Sequence, residues 1–331
     1  MGITEPKFPP RQTRADGSAR RVGVEIEFSG LSLEDAAWLL AQQAQLQQRA
    51  ISDYEIVLEG DSAGDWRVER DQELLKQLGR ERADSAEAAG FFKQAAEKAL
   101  DLGSQAIVPL ELVSPPLPFE RLSDFQQLVD ALAADGAVGT DDNVLFAFAL
   151  QLNPELPDLE AATIRRYLQA FAGMQEWLAA RTEVDAARKV TNYSALYPSD
   201  YIRLLLSEDY NPGQDDLIND YLQHNPTRNR ALDMLPLFSY LDEDRVQAIT
   251  ADPKIKSRPT FHYRLPNSDI GKPDWTIYEA WNDWVTVEEI AESEADLSDL
   301  IVMRQQELAN LFGELLSDPA VSVDQWLQDG R

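Results

Sequence analysis

The sequence predicts an α+β fold. Short runs with a period of two read as half-buried strands, and longer stretches with apolar residues three and four apart read as amphipathic helices. The strand runs lie far apart and are separated by helices, with no internal repeat, so the sheet is assembled from distant parts of the chain. The 331 residues allow about two domains or one large one. Residues 1–20 carry Pro, Gly, Arg and Ser without periodicity and read as a flexible lead-in. Residues 21–331 then read as one domain with a helical insertion at about 158–257.

The elements follow in order. RVGVEIEFSGL (21–31) alternates strictly, with Val22, Val24, Ile26 and Phe28 on one face and Glu25 and Glu27 on the other. Ser32 can cap the next helix, with Asp35 as a weaker capping-box partner, and Ala36, Leu39, Leu40 and Leu46 share its apolar face. DYEIVLEG (53–60) and DWRVERD (65–71) bracket Asp61-Ser62-Ala63-Gly64 as a hairpin. Residues 85–101 read as a helix, 104–117 as a strand stopped by Pro115-Pro116, and 120–134 as a second helix. NVLFAFALQLNPEL (143–156) reads as a long apolar strand. Ile164, Tyr167, Leu168, Phe171, Met174, Trp177 and Leu178 mark an amphipathic helix, followed by short helices at 214–223 and 228–241. RPTFHYRLP (258–266) returns to strand character, and helices near 277–293 and 297–316 close the order.

Composition narrows the chemistry. The formal net charge is −28, from 30 Lys+Arg against 58 Asp+Glu, which opposes broad nucleic-acid binding because a phosphate backbone must be met by a basic stripe. Zero cysteines exclude disulfides, thiolate metal sites and Cys nucleophiles, and two histidines exclude a His-rich zinc site. No apolar run is long enough to span a bilayer, and the first residues lack the apolar core of a signal peptide, so a cytoplasmic protein with no membrane partner is expected.

Six constellations could carry chemistry. Glu25 and Glu27 point to one strand face about 7 Å apart, which suits a hard divalent cation or, more plainly, an exposed strand face. Glu111 shares its face with Pro109 and Val113, as a carboxylate aimed into a lined cavity would. Asp71 ends WRVERD where an N-cap would also sit. Gln151 and Asn153 close an apolar strand with two amides that need partners. Arg228 and Arg230 stand near a helix start, as anion ligands or as ion-pair partners of Asp233. Arg258, His262 and Arg264 gather cationic groups suited to phosphate or carboxylate oxygens. A carboxylate-rich, metal-holding and phosphate-holding sheet is the kind of site an ATP-dependent ligase uses.

In order, VGVEIEF, WRVERD, ELVSPPL, FALQLNPE, NPTRNRALDMLP and RPTFHYRLPN make the chain resemble the putative amidoligase family from about Arg21 to about Leu300. That family is related to glutamine synthetase and glutamate–cysteine ligase. The resemblance implies a curved antiparallel sheet of the glutamine synthetase type, with ATP and substrates at opposite mouths of a funnel and Mg²⁺ or Mn²⁺ between them. By position it implies metal binding by Glu25, Glu27, Glu111 and Asp71, and a phosphate contact from Arg264; our reading of the residues adds His262 as a metal ligand and Arg258 as a second phosphate contact. Arg228, Arg230, Gln151 and Asn153 would face substrate, with Glu27, Glu111 and Arg264 closest to the chemistry. The implied reaction joins a carboxylate and an amine, on an amino acid or peptide, through an acyl phosphate; a partner enzyme supplying ammonia would fit it. The chain departs from the family at Ala149-Leu150-Gln151-Leu152-Asn153, where relatives commonly read G-L-H-x-H or G-L-H-x-N, and at His262-Tyr263-Arg264, where they read Glu-x-Arg. Those departures favour the alternative expectation of a catalytically impaired nucleotide sensor or peptide-binding scaffold. An acidic interaction protein without nucleotide is a third expectation.

Overall fold

The computed structural model describes residues 3–70, 109–140, 148–182, 194–309 and 318–330. It shows mixed helices and antiparallel strands in an open sheet, an α+β arrangement. The chain divides into two compact units: Met1–Glu5, Val22–Gln151 and Asn267–Ile277 in the first, and Pro6–Arg21, Leu152–Pro266 and Tyr278–Arg331 in the second. Among the described residues, no helix is long and apolar enough to cross a membrane.

In the first unit the strand order is β2 (Gln47–Ser52), β3 (Glu55–Glu59), β4 (Trp66–Arg70), β5 (Leu110–Val113), β1 (Arg21–Phe28), with β6 (Leu117–Pro118) also paired to β1. The register lines up Ile26, Leu112, Val68 and Ile56 across four strands, and all four are buried. Each such side chain contributes about 1.5–3 kcal/mol by leaving water. Among the described residues two helices pack in this unit, α1 (Leu33–Ala44) and α2 (Leu122–Ala134), and α1 lies against β2, β3 and β4. Ser32 caps α1 as its spacing predicts, accepting from the Asp35 N–H at 3.0 Å and donating to the Asp35 carboxylate at 2.7 Å. Leu46 falls beyond the α1 C-cap at Gln45 instead of on the helix face. The hairpin at Asp61–Gly64 is pinned by one carboxylate. Asp61 accepts from the Trp66 indole N–H at 2.9 Å and from the two Arg121 Nη nitrogens at 2.7 and 2.8 Å, and the Arg121 bonds hold its pKa well below the usual carboxylate value.

The second unit is mostly helical. Its centre is α3 (Ala161–Arg181), followed by α4 (Ser199–Leu205), α5 (Gln214–His224), α6 (Leu235–Leu241), α7 (Glu243–Ile249), most of α8 (Ile277–Glu292), α9 (Glu294–Ala309) and α10 (Pro319–Gln328). The end of β7 (Leu150–Pro154) pairs β9 (His262–Tyr263), which pairs β8 (Leu232–Asp233). Ahead of β1, Arg20 makes a fully buried ion pair with Glu288 at 2.7 Å, and Glu288 also accepts from the Trp284 indole N–H at 2.7 Å. An ion pair so enclosed survives because every oxygen and nitrogen in it finds a partner.

Two sequence expectations change, and one strand is new. Residues 228–234 are not helical: Leu232 and Asp233 form β8, and the helix begins only at Leu235, where Asp233 accepts the Leu235 N–H at 2.9 Å. Regular strand in 258–266 is confined to His262 and Tyr263, with single backbone bonds on either side, from the Phe261 N–H to the Pro154 carbonyl at 3.0 Å and from the Arg264 N–H to the Ala231 carbonyl at 2.8 Å. The exposed edge strand β2 has no sequence alternation to announce it. The helix expected at 85–101, the first part of the strand expected at 104–117 and residues 143–147 of the long strand lie outside the described residues.

Candidate functional site

The first unit carries a row of acids. Its register sets Glu27 opposite Glu111, Glu111 opposite Glu69, and Glu69 opposite Glu55, on the sheet face away from the apolar row. All four are half-buried. Directly opposed side chains have Cβ atoms about 4.5–5.5 Å apart, and like charges so placed repel. Glu27 is held firmly: its carboxylate accepts the Ala149 N–H at 2.8 Å, while its own N–H donates to the Ala149 carbonyl at 2.9 Å. Glu25 stands in the next row, opposite Val113, which faces Arg67. Gln151 is half-buried in β7, and Asp71 lies outside the described residues.

Sequence reading missed Glu69. WRVER alternates, so Trp66 and Val68 face the core and Glu69 shares the outward face with Arg67. That parity was readable, but the strand-to-strand register that brings Glu69 beside Glu111 was not. Among the described residues, no three Asp, Glu or His side chains form a ready-made metal cage. What the register supplies is pairs of carboxylates on neighbouring strands.

The second unit carries a separate constellation. His262 pairs in register with Asp233, and one step along from Leu152 opposite Tyr263 the ladder brings Asn153 beside His262. Asn153, His262 and Asp233 are all buried. Burial, and after it the charges of Arg258, Arg264 and Arg228, hold the His262 imidazole well below its ordinary pKa, so it is neutral at pH 7. Burial also pushes Asp233 up to about 6, although Arg264 and Arg228 pull the other way. Three of the arginines singled out from the sequence therefore stand within electrostatic reach of one buried imidazole. Arg264 is oriented by its bond to the Arg228 carbonyl at 2.7 Å. Arg230 instead fastens a turn, donating to Asn225 at 2.7 Å and to the His224 carbonyl at 3.3 Å. Asp233 was named from the sequence only as an ion-pair partner for Arg228 or Arg230; its place opposite His262 was missed, because reading 228–241 as helix hid its strand partner.

A family model described as a putative amidoligase enzyme matches residues 18–286. No curated protein and no solved structure matches the chain.

Proposed function

We propose, from the premise that the chain belongs to this putative amidoligase family, that it joins a carboxylate to an amine at the expense of ATP with Mg²⁺ present. The observation that carries the reading is the row Glu27, Glu111 and Glu69, taken together with the family match. Carboxylate pairs on a stiff sheet suit a hard divalent cation, whose ligands are oxygens and whose charge relieves their repulsion. Glu27, Glu111 and Glu25 would hold it, with Glu69 added to that set. When bound, Mg²⁺ supplies charge neutralisation for phosphate oxygens.

The reaction proposed is amide formation on an amino acid or peptide. A substrate carboxylate oxygen bonds to the γ-phosphorus of ATP as ADP leaves, and the amine nitrogen then bonds to the acyl carbon, loses a proton and releases phosphate. Arg264, Arg258 and Arg228 would take phosphate or carboxylate oxygens, since a guanidinium fork matches both. The sheet would then belong to the curved glutamine synthetase type. Asp71 stays in the reading as an acid ligand, and Gln151 and Asn153 as amides toward substrate. The field of three arginines around His262 opposes a cation there, so we place His262 with the anion-binding groups and not with the metal ligands. Arg230, committed to Asn225, is a weaker choice than Arg228 for a substrate carboxylate.

Amine-dependent ADP release tests this, with amino acids and short peptides as substrates. Glu27→Gln and Glu111→Gln should each lower it by at least about 10²-fold, the scale of losing about 2.7 kcal/mol of transition-state stabilisation. Parental turnover in both variants would sink the metal assignment. The arginine-ringed His262 also favours a second reading, a nucleotide-binding sensor. It predicts ATP binding without any amine-dependent turnover.

A further inference from the structure

A cavity of about 600 Å³ opens in the second unit, within the size range of small-molecule sites. Its walls are Arg165, Arg166 and Gln169 from α3, Leu297, Ile301 and Val302 from α9, and the segment carrying Glu208 and Tyr210. It shares no residue with the acid row or with the Arg228, Arg258 and Arg264 set.

The two arginines are unusual for this chain. Acids outnumber bases almost two to one, yet among the described residues neither Arg165 nor Arg166 pairs with a carboxylate. Both are held in place by neutral acceptors. Arg165 Nη1 donates to the Tyr210 carbonyl at 3.0 Å and to Asn211 at 2.7 Å, and Arg166 Nε donates to the Ala291 carbonyl at 2.6 Å. Each guanidinium keeps one nitrogen, Arg165 Nη2 and Arg166 Nη1, that bonds nothing among the described residues and is not closed off from the cavity. Two such charged groups beside a cavity suit an anion. Leu297, Ile301 and Val302 offer an apolar wall. Glu208 and Glu294, also on the lining, offer negative charge for an ammonium group.

We propose that this cavity binds an apolar α-amino acid, free or as the C-terminal residue of a peptide. The α-carboxylate lies toward Arg165 and Arg166 and the side chain against Leu297, Ile301 and Val302. Preset arginines lose little freedom on binding, which favours the recognition of a small anion.

The test is calorimetric titration of the full chain with L-leucine, N-acetyl-L-leucine and L-leucinamide, without ATP, so that the outcome is independent of the ligase reading. L-leucine is expected to bind, and leucinamide, lacking the carboxylate, at least about tenfold more weakly, the scale of one lost charge-assisted bond. N-acetyl-leucine binding as well as leucine would assign the site to peptide ends; weaker binding would assign it to the free amino acid through Glu208 and Glu294. Arg165→Gln and Arg166→Gln should each weaken leucine by a similar factor. Ile301→Trp should block it by filling the cavity while leaving both arginines, which covers the case where an arginine variant folds poorly. Binding of leucinamide equal to that of leucine, leucine affinity unchanged in Ile301→Trp, or no binding by any of the three would overturn the proposal.

Discussion

Asp233 shows how one side chain can set the pH behaviour of its surroundings. Its carboxyl is fully buried in β8 opposite His262, and burial raises its pKa from 3.8 to about 6. A raised folded pKa makes the contribution to stability complete below the unfolded value and lost as pH rises through the folded one. Below about pH 4 the group is neutral in both states. Between about 4 and 6 only the unfolded chain gives up the proton, and above that the native state must hold a buried charge. Asp233→Asn keeps the neutral form at every pH. The variant should match the parent near pH 4 and exceed it at pH 7–8 by up to about 3 kcal/mol, since each pKa unit is worth about 1.4 kcal/mol. Urea unfolding across that range checks this, and a difference that does not change with pH would remove the argument. The residue scale was only half legible. Glu25, Glu27 and Glu111 declared themselves by strand parity, because an acid beside buried Val24, Ile26 and Leu112 must face the other way. Glu69 and Asp233 did not, since their importance lies in who stands opposite, and pairing is a tertiary fact.

At the scale of elements, legibility followed the strength of the period. Helix α3 buries an almost continuous face, and its spacing predicted it; β1 alternates strictly and was equally plain. The edge strand β2 is exposed along its whole length, and β8 and β9 have two residues each, too few for any period. Close packing between elements was also silent. Gly173 lies where α3 meets α9, and a Cβ there would sit 2.7 Å from Leu300 Cδ2. Gly139 is tighter, its missing Cβ standing 2.3 Å from the Ser268 carbonyl oxygen. A leucine side chain can turn aside, but a backbone carbonyl cannot. Gly173→Ala gains about 1 kcal/mol of helix propensity against about 1–3 kcal/mol of overpacking, so its net cost should be small, and Leu300→Ala in the same chain should remove the overpacking part. Gly139→Ala should cost several-fold more, with no side chain to trim. Thermal melts of the three variants decide it, and equal losses at both glycines would refute the distinction.

Charge governs the molecule as a whole. At −28 the chain repels ATP, which is itself an anion, and the Glu27, Glu111 and Glu69 row adds to that field within its own unit. If those acids hold Mg²⁺, metal and nucleotide should bind with positive coupling of about 1–3 kcal/mol, each supplying the charge the other needs. At about 100 times its dissociation constant Mg-ATP would then stabilise the fold by about 2.7 kcal/mol. For a chain of this length that corresponds to a rise of about 2–4 °C in Tm. Salt alone complicates the measurement, because any added ion screens the self-repulsion of so acidic a chain, the Debye length falling to about 10 Å at 0.1 M. The comparison must therefore hold ionic strength constant with NaCl and vary only the identity of the ions. ATP alone and Mg²⁺ alone should each move Tm little beyond that baseline, while the two together move it by more than their sum. In Glu27→Gln and Glu111→Gln the excess should vanish. An excess that survives in both variants would place the metal elsewhere, and no excess in the parent would remove both nucleotide readings and leave an acidic interaction protein.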